Sequence, residues 1–101
     1  MIARLWHGYT APENAGAYEQ LLKTRILPSI HRVKGYQGSY LLRRDLGSEV
    51  EFLTVTLWES LEVIREFSGE DYEVAVVPPE ARQLLSRFDP RSVHYEGWWL
   101  P

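Results

Sequence analysis

No cysteine occurs among the 101 residues. That excludes a disulfide framework, a thiolate metal site and a cysteine nucleophile. Basic residues are in the minority, 11 Lys and Arg against 14 Asp and Glu, and the formal net charge is −3. Such a balance lacks the basic footprint that nucleic acid requires. No apolar run approaches the roughly 18 residues of a membrane span. Met1 to His7 lead directly into strand-like sequence without a secretory pattern, so a cytoplasmic protein is expected. Phosphate-cradling loops are missing as well. Gly35-Tyr36-Gln37-Gly38 follows a helical segment instead of opening one, which excludes a dinucleotide fold on order alone. Spacings that gather metal ligands are scarce, with His94-Tyr95-Glu96 the one short pair, and no metal site is expected.

What the chain has in quantity is aromatic residues: four Trp, six Tyr and three Phe. That is more than a core of this size calls for, and Trp and Tyr favour pocket walls and subunit contacts. With 45% apolar and 25% charged residues the composition is that of one globular domain.

Hydrophobic spacing gives the element order. Residues 2–9 alternate as a strand, with Ala3, Leu5, His7 and Tyr9 on one face and Ile2, Arg4, Trp6 and Gly8 on the other. Thr10 and Glu13 match a capping box, and Ala15, Tyr18, Leu22 and Ile26 follow at helical spacing. Pro28 is expected to kink or restart that helix, and Gly35 to close it. Residues 36–44 and 49–58 read as a hairpin around Asp45-Leu46-Gly47-Ser48, with Gly38 a candidate bulge. Ser60 caps a second helix that stops at Ser68-Gly69. Residues 70–77 are ambiguous. Pro78-Pro79 opens a short helix with Ala81, Leu84, Leu85 and Phe88 on one side, Asp89-Pro90 breaks it, and residues 91–98 read as a fourth strand.

The order β-α-β-β-α-(α)-β is that of an α+β, ferredoxin-like domain: an antiparallel four-stranded sheet with helices on one face. The other sheet face cannot be very polar, because both sides of strands 1 and 3 carry large apolar groups. A bare apolar sheet is an interaction surface, and the economical cover is a second copy, a homodimer packed sheet to sheet. The competing arrangement is a monomer with a loop or the C-terminal tail laid over that face.

Four stretches resemble the antibiotic biosynthesis monooxygenase (ABM) domain family. They are Met-Ile-Ala-Arg-Leu-Trp-His-Gly at 1–8, Glu-Phe-Leu-Thr-Val-Thr-Leu-Trp-Glu-Ser at 51–60, Ile-Arg-Glu-Phe-Ser-Gly-Glu-Asp-Tyr-Glu at 64–73 and Arg-Phe-Asp-Pro-Arg-Ser-Val-His-Tyr-Glu at 87–96. The resemblance implies a single domain over 1–96 with 97–101 as a tail, and a dimeric α+β barrel. It also implies a link to enzymes that oxygenate polyketide-like phenols or quinols with O2 and no cofactor, although the family includes haem degraders and members with no known reaction. The polar set of the haem branch is an Asn ending strand 1, a Trp on the second helix and a His after it. Its positions carry His7, Phe67 and Val76 or Val77 here, and valine cannot replace an axial imidazole.

Cofactor-free oxygenation needs a base near neutral pH, hydrogen bonds to a forming oxyanion and dry walls. His7 and His94 are the candidate catalytic bases, since strands 1 and 4 are neighbours, and the plain alternative for each is a structurally hydrogen-bonded histidine. His7 is expected to point between sheet and helices. His31, late in the first helix, reads as exposed. Candidate substrate-binding residues are Trp58, Phe67, Tyr72, Arg65 and Tyr40. Trp58 reads as a pocket wall or electron relay, or more simply as core packing. Tyr95 shares the ambiguity of Tyr40, and Arg65 and Arg82 are either anion-binding or solvated. The expectation is a cofactor-independent monooxygenase acting on a small aromatic, quinol or polyketide-like molecule. The alternatives are a non-catalytic dimeric ligand-binding or regulatory protein, or an isomerase-like enzyme using the same pocket.

Overall fold

Residues 1–101 are described by a computed structural model. Strand β1 (Ile2–Thr10) leads through a 3-10 turn (Pro12–Asn14) into α1 (Ala15–Leu21), a π turn (Leu22–Ile26) and α2 (Leu27–Ile30). Strands β2 (Tyr36–Asp45) and β3 (Val50–Trp58) form the hairpin, and α3 (Leu61–Ser68) follows. Helix α4 (Pro79–Leu84) then runs into β4 (Leu85–Phe88), and β5 (Val93–Glu96) closes the sheet. The spatial order is β2-β3-β1, with β4 and β5 both antiparallel to the free edge of β1. This is the expected α+β arrangement, with an antiparallel sheet and helices on one face.

Three details differ from expectation. The strand expected over 91–98 is shorter, β5 opposite Ile2 to Leu5, and an additional strand, β4, precedes it opposite Gly8 to Thr10. The helix expected to reach Phe88 stops at Leu84. Leu85 and Phe88 keep helical spacing, but the end of β1 offers unpaired backbone groups, and pairing with them overrides local periodicity. Asp89-Pro90 makes the break between the two strands, since Pro90 has no N–H to give to a ladder. The capping box also fails. Ala11 occupies the N-cap position without a side-chain bond. Thr10 is retained by β1, pairing with Val50, and is fully buried.

Other local signals hold. Ser60 Oγ accepts from the Val63 N–H at 3.4 Å. The Gly38 bulge appears as a register shift in the β2–β3 ladder. Gly35 is needed for two reasons: its φ is 96°, and a Cβ there would lie 2.7 Å from Val63 Cγ2. Pro28 does not end the first helix. A proline cannot donate to the carbonyl four residues earlier and its ring crowds that turn; the i→i+5 register of the preceding π turn absorbs the fault.

Alternation along the strands divides the sheet into two unlike faces. Arg4, Gly8 and Thr10 of β1, and Val50, Phe52, Thr56 and Trp58 of β3, are buried on the helix side. Two core clusters form there. Ala15, Tyr18, Leu22, Val50, Phe52 and Ala81 make the larger, with Tyr18 edge-on to Phe52 at 4.9 Å. Ile30, Trp58 and Ile64 make the smaller. The opposite face carries Leu5, Leu53, Val55, Leu57, Tyr40, Leu42, Val93 and Tyr95, the last two and the β2 pair about half exposed. The tail does not cover it, because Trp98, Trp99 and Leu100 are each at least 75% exposed. No helix is long and apolar enough to cross a membrane.

Candidate functional site

A cavity of about 80 Å³ lies between the sheet and the helices, flanked by the two core clusters. Its floor is the helix face of the sheet: Arg4 and Trp6 from β1, Thr54 and Thr56 from β3. Leu22 and Ile26, at the two ends of the π turn, form one wall. Phe67 of α3 and the segment Val76–Val77–Pro78 form another, and Ser92 closes the β5 side. Ten of the 15 lining residues are hydrophobic, and none is His, Asp or Glu. The 69–78 segment has no regular structure. It is tied to the sheet edge by the Val74–Arg91 bridge, by Ala75 N–H donating to Pro90 O (3.0 Å) and by Ser92 N–H donating to Glu73 O (2.6 Å).

Arg4 is the unusual member. It is 5% exposed and forms no ion pair with any carboxylate. Its Nη1 donates to the Tyr72 carbonyl and to His94 Nε2 (3.0 Å), its Nη2 donates to the Val74 carbonyl (3.2 Å), and its guanidinium lies 5.8 Å from the centre of the Phe67 ring. Burial lowers its pKa from the ordinary arginine value to about 10, so it remains a cation at neutral pH. Because a guanidinium has only donors, His94 Nε2 is the acceptor, and the proton of neutral His94 sits on Nδ1. That atom is buried without a partner. Burial, and secondarily the Arg4 charge, lower the His94 pKa, which keeps the ring neutral. The Thr54 hydroxyl, on the cavity floor, is also buried without a partner. Thr56 Oγ1 accepts from Trp58 Nε1 at 2.8 Å, which leaves the threonine's own O–H free to donate.

The structure corrects the expected place of His7. Odd-numbered residues of β1 face away from the helices, so His7 lies outside the cavity in a shallow depression with Leu42, Arg43, Arg44, Glu51 and Leu53. Its Nδ1 is 2.9 Å from Asp89 Oδ2, with 37% and 42% of the two side chains exposed. His7 and His94 are not brought together. His94 stands opposite Arg4 in the β1–β5 register, on the other face of the sheet from His7.

Of the other expected residues, Phe67 lines the cavity. Trp58 is fully buried behind it, 5.1 Å from the Phe67 ring, and is a core residue that does not reach the cavity. Tyr72 lies edge-on to His94 at 5.1 Å and lines an outer groove, with the Arg65 guanidinium 5.3 Å from its ring centre. Arg65 itself is exposed. Tyr40 is 58% exposed on the open sheet face, and Tyr95 is on that face too. His31, exposed as expected, stacks on Tyr36 at 5.3 Å. Arg4, Trp6, Thr54, Thr56 and Ser92 belong to no motif and stand outside the expected site set. The signal for Arg4 was present: a charged residue at a helix-facing position of a central strand, between Ile2 and Trp6.

Comparison with known proteins places this architecture. A model of the family described as antibiotic biosynthesis monooxygenase matches residues 1–85. The chain belongs to the antibiotic biosynthesis monooxygenase family. A search of curated proteins finds no match to this ABM-family chain. Among solved structures, it is similar to a Deinococcus radiodurans protein classed with the antibiotic biosynthesis monooxygenases, at 17% identity and TM-score 0.67, covering 100% of this chain and 96% of that one. It is similar to the ActVA-Orf6 monooxygenase of Streptomyces coelicolor in complex with nanaomycin D, at 16% identity and TM-score 0.62, covering 99% and 91%. It is also similar to the haem degrader MhuD of Mycobacterium tuberculosis with two haems bound, at 18% identity and TM-score 0.63, covering 100% and 99%. Identities this low establish a shared fold only. The cavity lining of this ABM chain carries no imidazole, and Val76 and Val77 stand in its wall.

Proposed function

We propose that the inter-layer cavity binds a small aromatic, quinol or polyketide-like molecule and that the chain acts on it as a cofactor-independent monooxygenase with O2 as oxidant. The observation that carries this reading is a mostly apolar chamber into which a few polar side chains, Arg4, Thr54, Thr56 and Ser92, converge from the sheet side. For a methylene flanked by phenolic rings the balance is simple. The substrate loses a proton and passes an electron to O2, and the two radicals combine in a C–O bond. The O–O bond then breaks as the second hydrogen leaves, giving a ketone and one water. All four electrons come from the substrate. The chain's part is to hold the ring, to stabilise the anion and to keep water out.

A cavity of about 80 Å³ is smaller than the few hundred Å³ of a typical filled ligand pocket. Entry therefore requires a wall to move, and the 69–78 segment, held by scattered bonds instead of a ladder, is the wall with least to lose. The absence of His, Asp and Glu from the lining favours a second reading, ligand binding without turnover. In both readings the apolar open face packs against a second copy to make a homodimer.

Oxygen uptake with a panel of quinols and anthrone-like phenols, run beside calorimetric titration of the same compounds and quenching of tryptophan fluorescence, separates the readings. Stoichiometric O2 consumption supports the monooxygenase. Saturable quenching without uptake leaves the binding protein, and no response to any of these compounds removes both.

A further inference from the structure

We infer that the cavity selects the ionised form of its ligand, an aromatic phenolate or enolate, and that Arg4 is the residue that binds the anionic oxygen. This rests on the reading of the inter-layer cavity as the ligand site.

Burying a cation away from water is costly unless an anion or a full set of acceptors meets it. Arg4 is buried and faces the cavity, and no carboxylate lies within ion-pair distance of it. Three of its five N–H groups are used, by the Tyr72 and Val74 carbonyls and by His94 Nε2. The acceptors are neutral, so the charge itself stays uncompensated. Two donors, the Nε–H and one on Nη2, have no protein partner. The groups nearest on the floor have the same polarity to offer. Thr54 Oγ1 is unpartnered, and Thr56, accepting from Trp58, keeps its own O–H free to donate. The floor thus presents donors and a positive charge, with no base. A neutral ether or ketone would leave the charge unmatched, whereas a phenolate oxygen would complete it.

The sign of an induced pKa change tests this directly. A dry apolar chamber by itself makes a bound phenol harder to ionise. A chamber holding an unpaired guanidinium makes it easier. The probe is 4-nitrophenol, whose phenolate is yellow and whose phenol is colourless, titrated with the 101-residue chain; the ratio of the two forms supplies the direction. The expected result is at least a tenfold increase in the phenolate-to-phenol ratio of the bound probe at fixed pH. In Arg4→Met, which keeps the apolar stem and removes the charge, the ratio should fall below that of the free probe. Arg4→Lys, which keeps the charge and loses the fork, should retain an increase of about threefold or more. Ala81→Leu, which fills the cavity, should abolish the spectral change and so place the probe.

Bound 4-nitrophenol that ionises less readily than free probe in the native protein overturns the inference while leaving the cavity as a binding site. So does an unchanged ratio in a folded Arg4→Met variant. If no phenol binds to the native protein at millimolar concentration, the cavity reading fails and the inference falls with it. Should Arg4→Met not fold, the native titration and Arg4→Lys still decide the sign.

Discussion

Arg4 and His94 stand directly opposite one another in the antiparallel register of β1 and β5, and their side chains meet on the helix face with Nη1 and Nε2 3.0 Å apart. The contact exists only while His94 is neutral. A protonated imidazole has no lone pair to accept with, and two cations would then share one half-buried site.

That gives a pH dependence of known sign. Burial and the Arg4 charge depress the His94 pKa below its ordinary 6.5, opposed by the smaller effect of Glu73. The folded state therefore binds fewer protons at this ring than the unfolded chain does. The stability it contributes is complete above pH 6.5 and is lost as the pH falls through the lower folded-state value. Thermal unfolding should show Tm falling from pH 7.5 to pH 5. In His94→Gln, which can still accept from Arg4 but cannot ionise, the fall should be markedly shallower. Glu19, Glu49 and Glu51 act in the same direction, but only below their ordinary 4.5, outside this window. An equal slope in native protein and variant would remove His94 from the account.

Trp58 is the centre of the smaller core cluster, fully buried between Ile64, Ile30 and Phe67. Trp58→Ala should cost about 3–5 kcal/mol by denaturant unfolding, the usual loss for emptying a large aromatic site. Trp58→Phe should cost much less. Because the side chain does not line the cavity, Trp58→Phe should leave 4-nitrophenol binding within about twofold of native, a factor worth roughly 0.4 kcal/mol. A loss of binding with stability intact would make Trp58 a ligand contact instead of a core residue.

His7 pairs with Asp89 at the point where β4 gives way to the break before β5. Asp89 holds the end of β1 by other bonds as well: its N–H donates to the His7 carbonyl (3.0 Å), and its own carbonyl accepts from Trp6 Nε1 (2.7 Å). Since the His7 pair is more than one-third exposed, His7→Ala should lower stability by less than about 1 kcal/mol. It should leave ligand binding in the cavity unchanged, because the ring projects from the opposite face. Calorimetric titration of the variant checks this, and a tenfold weakening would show that the sheet transmits the change.

The division between what could and could not be read from the residues follows the range of the interactions. Alternation along 2–9 and 49–58, the Ser60 cap and the Gly38 bulge are local, and each appears as expected. The β-α-β-β-α order then leaves few topologies. The errors arise where a long-range partner outbids a local preference. Leu85 and Phe88 leave a helical pattern to pair with the end of β1, and Thr10 stays in its strand instead of capping a helix. The site was harder still. His7 is a base by residue type, yet the period of two puts it on the face away from the helices. Arg4 has the right parity and carries a charge where an apolar residue is normal, which marks it as a functional candidate without any motif.

The open sheet face supplies the last prediction. Tyr40, Val55, Leu5 and Val93 lie side by side in the registers of β2, β3, β1 and β5, so one apolar row crosses the whole sheet. Tyr40 and Val93 are 58% and 52% exposed at its two ends, and Leu42 and Tyr95 flank it at 49% each. Patches of this kind on a single subunit mark an interface. Val55 lies on a central strand within the row, so a charge there would be trapped away from water wherever two such faces meet. Val55→Glu should therefore convert a dimer into a monomer in sedimentation velocity, with its far-ultraviolet circular dichroism unchanged. A conservative Val55→Ile should remain dimeric. A native protein that sediments as a monomer at every concentration tested, unaffected by Val55→Glu, would leave the face without a second copy to cover it.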